Sequence, residues 1–155
     1  MKLSIRCATL DDDEALVRLW QRCELTRPWN DPRRDIARRL AIEDDLFLVG
    51  NVVGNAAARE TAPLIASTPI VASAMGGYDG HRGWVYYVAV DPLHRSQGYA
   101  AHLMRTLEER LRARGCAKLN LQVRTDNAAA VAFYRRLGYA VDETASLGKR
   151  LIADD

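Results

Sequence analysis

VYYVAVDPLHRSQGYAAHLM, residues 85–104, is the stretch on which the fold turns. It opens as an apolar, β-branched and aromatic run, which reads as a strand. The strand ends at Asp91-Pro92, and the turn HRSQGYA leads straight into an amphipathic helix over 99–114. That helix repeats apolar residues at Ala100, Leu103, Met104, Leu107 and Leu111, with Gly115 as its stop. A helix start carries backbone N–H groups without internal partners and a partial positive charge. Gly98 has no side chain to keep a ligand away, and Arg95 adds a cation three residues earlier. A strand, a glycine turn and a helix mouth in this order make a phosphate site. The plainer alternative is a glycine near a helix start and an arginine in solvent. Neither G-x-G-x-x-G nor G-K-[ST] occurs, so this is no Rossmann or Walker loop.

Working outward, KLSIRCA (2–8) reads as a strand, and Thr9 with Asp12 gives a capping signal for a helix over 11–24. Its apolar face is Ala15, Leu16, Leu19, Trp20 and Cys23. TRPWNDP (26–32) breaks that helix, and Asp31 with Pro32 starts a second over 31–41. There Ile36, Ala37 and Leu40 are expected inward, with Arg33, Arg34, Arg38 and Arg39 on a solvated face. LFLVGNVV (46–53) is a strand, and the small, polar residues 54–69 form a long loop. Strands at 69–78 and 83–90 make a hairpin around Asp79-Gly80-His81-Arg82. KLNLQVR (118–124) is a strand, Asn127 caps a helix stopped by Gly138, and residues 139–152 offer two short final strands. The order predicts one α/β (α+β layered) domain over 1–155, with helices packed on a mixed sheet.

The length of 155 residues suits one domain. Twenty-two Lys and Arg against 20 Asp and Glu leave a net charge of +2, too little for a nucleic-acid binder on bulk charge. No apolar run approaches the ~18 residues of a membrane span. The first residues turn acidic where a signal peptide needs an apolar stretch. Cys7, Cys23 and Cys116 are odd in number and widely spaced, which fits neither a disulfide framework nor a metal site. A cytoplasmic protein without metal is the expectation, either monomer or homodimer.

The central stretch resembles the first motif of the GNAT superfamily of N-acetyltransferases, [QR]-x-x-G-x-[GA]. It stands here as Arg95-Ser96-Gln97-Gly98-Tyr99-Ala100. A second motif of that superfamily, N-x-x-A-x-x-x-Y-x-x-x-G-[FY], appears as Asn127, Ala130, Tyr134, Gly138 and Tyr139. RPWNDP, LFLV, MGGYDGHRG, LGY and SLGKRLI extend the resemblance to a bacterial branch over nearly the whole chain. LQVRTDNAAAVAFYRRLGY is similar to the ribosomal-protein alanine acetyltransferases. The loop at 54–69 is longer than in that bacterial branch. The resemblance implies a central mixed sheet of six to seven strands, helices on both faces, and splayed strands 4 and 5 holding acetyl-CoA. It assigns the pantetheine arm to the backbone of Val88, Ala89 and Val90 and to Asn127. The pyrophosphate falls to the N–H groups of Gln97, Gly98, Tyr99 and Ala100, beside Arg95 and Ser96.

The implied reaction is direct attack of an amine on the thioester. Val88 or Ala89 N–H is the candidate donor to the developing oxyanion, and Tyr134 occupies the position of the acid that protonates the leaving thiolate. From an ordinary tyrosine to a thiol this transfer is uphill by roughly 2 kcal/mol; in the plain alternative Tyr134 only packs. The base is open. Gln122 stands where the ribosomal-protein enzymes have a glutamate, and glutamine takes no proton at neutral pH. Asp79, His81 and Glu24 are the candidate replacements. Deprotonating a lysine at pH 7 costs about 4.6 kcal/mol and an α-amine about 1.1, so a site without a strong base favours a peptide N-terminus or another low-pKa amine. Trp29 is a candidate wall of the acceptor pocket or an anchor of its loop on the core. Strand alternation sends Tyr86 and Tyr87 to opposite faces, so only one of them can line a cleft, with Tyr87 the candidate and Tyr78 nearby. A non-catalytic acyl-CoA-binding module is the competing class; release of free thiol with a panel of amines separates the two.

Overall fold

The computed structural model describes residues 2–54 and 68–155. Strand β1 (Lys2–Cys7) leads through a 3-10 turn (Leu10–Asp12) into helix α1 (Asp13–Arg22). The Asp12 carboxylate accepts the Thr9 N–H at 2.8 Å and closes the capping pattern read from the sequence. Helix α2 (Pro32–Leu40) follows, with Asp31 accepting the Arg33 N–H and Pro32 in the first turn. Strands β2 (Phe47–Val53), β3 (Ile70–Tyr78) and β4 (Gly83–Val90) come next. After them come helix α3 (Tyr99–Ala113), strand β5 (Leu119–Leu121) and helix α4 (Ala128–Arg136). Most of the loop read at 54–69, residues 55–67, lies outside the described residues.

The sheet runs in chain order, β1 to β5, antiparallel except for the parallel β4–β5 pair. Side-chain alternation loads both faces. Leu46, Leu48, Ala72 and Val85 pack with Leu103, Met104, Leu107 and Leu111 of α3. Phe47, Val49 and Met75 pack with Leu16, Leu19 and Trp20 of α1 and Ile36 of α2. Helices therefore cover both faces, as the family resemblance implies.

Five strands are present among the described residues, not six or seven. The two final strands read at 139–152 do not form. Their apolar residues, Val141, Leu147, Leu151 and Ile152, are more than 60% exposed, so nothing buries one face of a ladder. The tail is instead tied to the β5 segment by side chains, Lys118 to Asp142 and Gln122 to Ser146. Helix α2 departs from its expectation as well. Ile36 is buried, but Ala37 is exposed. Arg39, expected in solvent, is enclosed: it donates to the Gly76 carbonyl at 2.7 Å and pairs with Asp44 at 2.6 Å.

At Gly76 the Leu107 side chain of α3 packs directly on the sheet backbone. A Cβ there would stand 2.7 Å from the Leu46 carbonyl oxygen and collide with Leu107. Gly76→Ala is expected to destabilise the fold by about 1–3 kcal/mol through overpacking. Urea denaturation would show a lower midpoint with an unchanged slope.

Candidate active site

β4 and β5 pair only from Gly83↔Leu119 to Val85↔Leu121. Beyond Val85 the strands part, and a cleft of about 750 Å³ opens between them. Tyr86, Tyr87 and Val88 form one wall; Gln122, Val123, Asn127, Ala130 and Tyr134 form the other. The α1–α2 connection and α2 close one end with Leu25, Arg27, Trp29, Asn30, Asp35 and Arg38.

The wall on β4 is bent by a bulge. Ser73 pairs with Ala89 and Met75 with Tyr86, so two β4 residues face the single Ala74 of β3. Tyr87 takes the extra place with φ +50°, a left-handed conformation unusual for a tyrosine. Alternation is reset there. Val85 belongs to the α3 side of the core, while Tyr87, two residues on, packs on the α1 side. Tyr86 and Tyr87 both line the cleft, which corrects the expectation that only one could. The Tyr87 ring stacks on Trp20 at 3.8 Å and 12°. Its carbonyl accepts from Ser73 Oγ, which in turn accepts from Trp20 Nε1. Its hydroxyl donates to Asp35 Oδ2 at 2.7 Å and accepts from Asn30 Nδ2 at 3.2 Å. Burial, then the Asp35 carboxylate, pushes the Tyr87 phenol well above its ordinary value.

Tyr134, on α4, meets Phe133 and Tyr139 edge-on at 5.0 and 5.8 Å. Burial pushes its phenol up to about 12. The Tyr139 hydroxyl donates to Glu108, which fixes one of those neighbours. Asn127 spends its side-chain oxygen on the Ala130 N–H as the α4 cap. Gln122 Nε2 donates to Ser146 Oγ at 2.5 Å.

Beyond the end of β4, the buried Asp91 carboxylate accepts the Leu93 N–H and pairs with Arg22. Ser96 (φ +63°) and Gly98 (φ +76°) then turn the chain into α3. The His102 N–H donates to the Gly98 carbonyl, so the N–H groups before it have no partner inside the helix. A Cβ on Gly98 would meet nothing within 4 Å. That open space at a positive helix end fits a phosphate-bearing ligand. Arg95, Ser96 and Gln97 are exposed around it, Tyr99 is buried, and Ala100 is half-buried. None of these residues lines the 750 Å³ cleft, nor do Ala89 and Val90.

The structure thus gathers Val88, Asn127, Tyr134, Trp29 and Tyr87 around one cleft. Asp79 stays in its turn, where its carboxylate accepts the Arg82 and His81 N–H groups at 2.7 Å. Those bonds hold it below the usual carboxylate range. It lines a neighbouring cavity of about 330 Å³, together with Tyr78. His81 and Glu24 line neither cavity. Sequence reading missed Asp35, Arg38, Arg39 and Ile42. Asp35, Arg38 and Arg39, at spacings of three and four, share one face of α2, and Ile42 follows just past its end; the sequence places Arg38 and Arg39 in solvent.

The model of the Acetyltransferase (GNAT) family matches residues 6–139. The chain belongs to the GNAT family of acetyltransferases. An acetyltransferase of Yersinia pseudotuberculosis is 47% identical over 152 residues, 98% of either chain. Ard1 from Thermoplasma volcanium superposes with a TM-score of 0.73 at 24% identity, covering 92% of this chain and 85% of that one. The ribosomal-protein-S18-alanine N-acetyltransferase of Escherichia coli gives 0.64 at 25% identity, covering 88% and 77%. This GNAT protein is an acetyl-CoA-dependent N-acetyltransferase. No helix among the described residues is long and apolar enough to cross a membrane.

Where α2 closes the cleft, Asp154 is buried and binds Arg38 through two bonds of 2.6 Å. Arg38, with Arg34, holds the Asp154 carboxyl down to about 2. Because that value lies below the ordinary ~3.9, the clasp is intact above pH 4 and is lost as pH falls toward 2. A carboxyl NMR titration should find the Asp154 midpoint near 2, moving up toward the ordinary value in Arg38→Ala.

Proposed function

We propose that this enzyme acetylates a primary amine of low pKa, a peptide N-terminus or a small-molecule amine, within a complex holding both substrates, with Tyr134 as general acid. The observation that carries this reading is Tyr134 lining the gap between β4 and β5, its hydroxyl engaged by no hydrogen bond among the described residues. Bound acetyl-CoA supplies a thioester carbonyl and a thiolate leaving group. The side of β4 at Val88, Ala89 and Val90 that faces away from β3 has no strand partner among the described residues, though the Val90 carbonyl accepts from Arg95 Nε at 3.2 Å. It would receive the pantetheine arm as an added strand, with Asn127 across the cleft. Gln97, Gly98, Tyr99 and Ala100 would direct their N–H groups at the pyrophosphate, with Arg95 and Ser96 beside it. A Val88 or Ala89 N–H would hold the oxygen that gathers charge. Trp29 and Tyr87 would bound the acceptor, with Asp79 among the residues lining the adjoining cavity.

The α-amine preference is supported by the 25% identity to an enzyme named for acetylating a ribosomal-protein alanine; Gln122 itself cannot serve as the base, since it takes no proton. Calorimetric titration with acetyl-CoA, followed by thiol release with a panel of amines, tests the proposal. Binding with turnover is expected. Binding without turnover on any amine would leave the non-catalytic module, and no binding by folded protein would remove both.

A further inference from the structure

We propose that Asp35 receives the acceptor's ammonium group and takes its proton, and that Asp154 keeps it available by holding Arg38 away. The proposal rests on the N-acetyltransferase reading and supplies the base that Gln122 cannot be. Among the described residues lining the cleft, Asp35 is the only carboxylate, in company with Arg27, Arg38, Arg39 and Arg124. A cationic amine entering such a cleft needs one negative group whose charge is not already cancelled. Two neutral donors orient the Asp35 carboxylate through Oδ2, Tyr87 Oη at 2.7 Å and Asn30 Nδ2 at 2.6 Å. Neither neutralises it. Tyr87 stays protonated and donates to Asp35 while accepting from Asn30. Oδ1 makes only a loose ion pair with Arg38 Nη1 at 3.9 Å, beyond hydrogen-bond reach.

The two arginines of α2 that could cancel Asp35 are each occupied. Asp154 takes both terminal nitrogens of Arg38 at 2.6 Å. Asp44 takes Arg39 at 2.6 Å, with the Gly76 carbonyl on its Nε. Arg27 points its Nη1 at the carbonyls of Glu24 and Thr26. A buried carboxylate that takes both bonds of Arg38, one turn from Asp35, keeps that arginine from hydrogen-bonding Asp35 and leaves Oδ1 open to a ligand.

In the step this assigns, the ammonium R–NH3+ gives one proton to Asp35. The freed lone pair forms the C–N bond to the thioester carbonyl carbon, and the C–S bond breaks. Tyr134 protonates the sulfur and is reprotonated by the second proton leaving nitrogen. Asp35 returns its own proton to solvent, so one H+ is released per acetyl group transferred.

The test uses Asp35→Asn, nearly identical in shape, with a peptide bearing an N-terminal alanine and small primary alkylamines as probes. At pH 7, kcat/KM should fall by about 100-fold, the range of a lost general base, with acetyl-CoA affinity unchanged by calorimetry. Below the pKa of the peptide's α-amine, ~7.8, the variant should gain tenfold per pH unit on that peptide, since only free amine then reacts. The wild type should show a much flatter profile. Asp154→Asn should lower kcat/KM about 10-fold as Arg38 turns to Asp35. The double variant Asp154→Asn/Arg38→Gln should recover most of it, which loss of a merely structural tie would not allow. Wild-type-like rates in Asp35→Asn, a tenfold rise per pH unit already in the wild type, or no recovery in the double variant would overturn the proposal. Acetyl-CoA binding without turnover of any amine by the wild type would instead overturn the enzyme reading, and this inference with it.

Discussion

Tyr134→Phe is expected to lower the acetylation rate at saturating substrates by about 10²–10⁴-fold, the range of a positioned general acid, with acetyl-CoA affinity near wild type. The variant removes one hydroxyl and keeps the ring, so the edge contacts to Phe133 and Tyr139 survive. Among the described residues no hydrogen bond engages that hydroxyl, and its removal orphans no partner. Folding stability should therefore change little. The phenol, pushed up to about 12, lies about 3.5 pH units above an ordinary thiol near 8.5, roughly 5 kcal/mol against a completed transfer. Transfer must run together with C–S cleavage, while negative charge is growing on a sulfur that the same apolar surroundings destabilise. The raised value also keeps Tyr134 protonated throughout the working range, so loss of its proton should not limit kcat below about pH 11. A rate within threefold of wild type in Tyr134→Phe would remove the acid role and leave Tyr134 as packing.

The parts of this site that were legible in the sequence are those set by local chemistry. The strand, the turn and the helix over 85–104 follow from apolar periodicity and one glycine, and α3 starts at Tyr99 as expected. Asn127 caps α4, and Gly138 ends it with φ +96°. What could not be read depends on residues far away in the chain. The bulge at Tyr87 exists because β3 offers one residue where β4 has two, and no pattern within β4 reveals that count. Arg39 reads as a surface cation until Asp44 and the Gly76 carbonyl close on it. Asp35 reads as one more charge on a solvated helix until Tyr87, 52 positions on, donates to it. The final strands fail for the same reason, since a short alternating run becomes a strand only when a neighbour covers its face.

Trp20→Ala should be the most destabilising single change, at about 3–5 kcal/mol, and it should reach the site as well as the core. Trp20 is fully buried on α1 and packs with Leu16, Ile36, Val49 and Ala89. Its indole donates to Ser73 Oγ at 2.9 Å, and its face carries the Tyr87 ring. Truncation opens a cavity beneath the bulge and takes away the surface that holds a tyrosine at positive φ. Against a total of about 5–15 kcal/mol for an ordinary domain, the urea midpoint should fall steeply. Trp20→Phe separates the contributions: the ring face remains, only the Ser73 bond goes, and the loss should be about 0.5–1.5 kcal/mol. Under conditions where both variants remain folded, Trp20→Ala should also turn over amine more slowly than Trp20→Phe, because Asp35 is oriented by the hydroxyl of the tyrosine that Trp20 supports. A loss under about 1 kcal/mol in Trp20→Ala would mean that the bulge holds Tyr87 without this stack, and that the α1 side of the core closes around the gap.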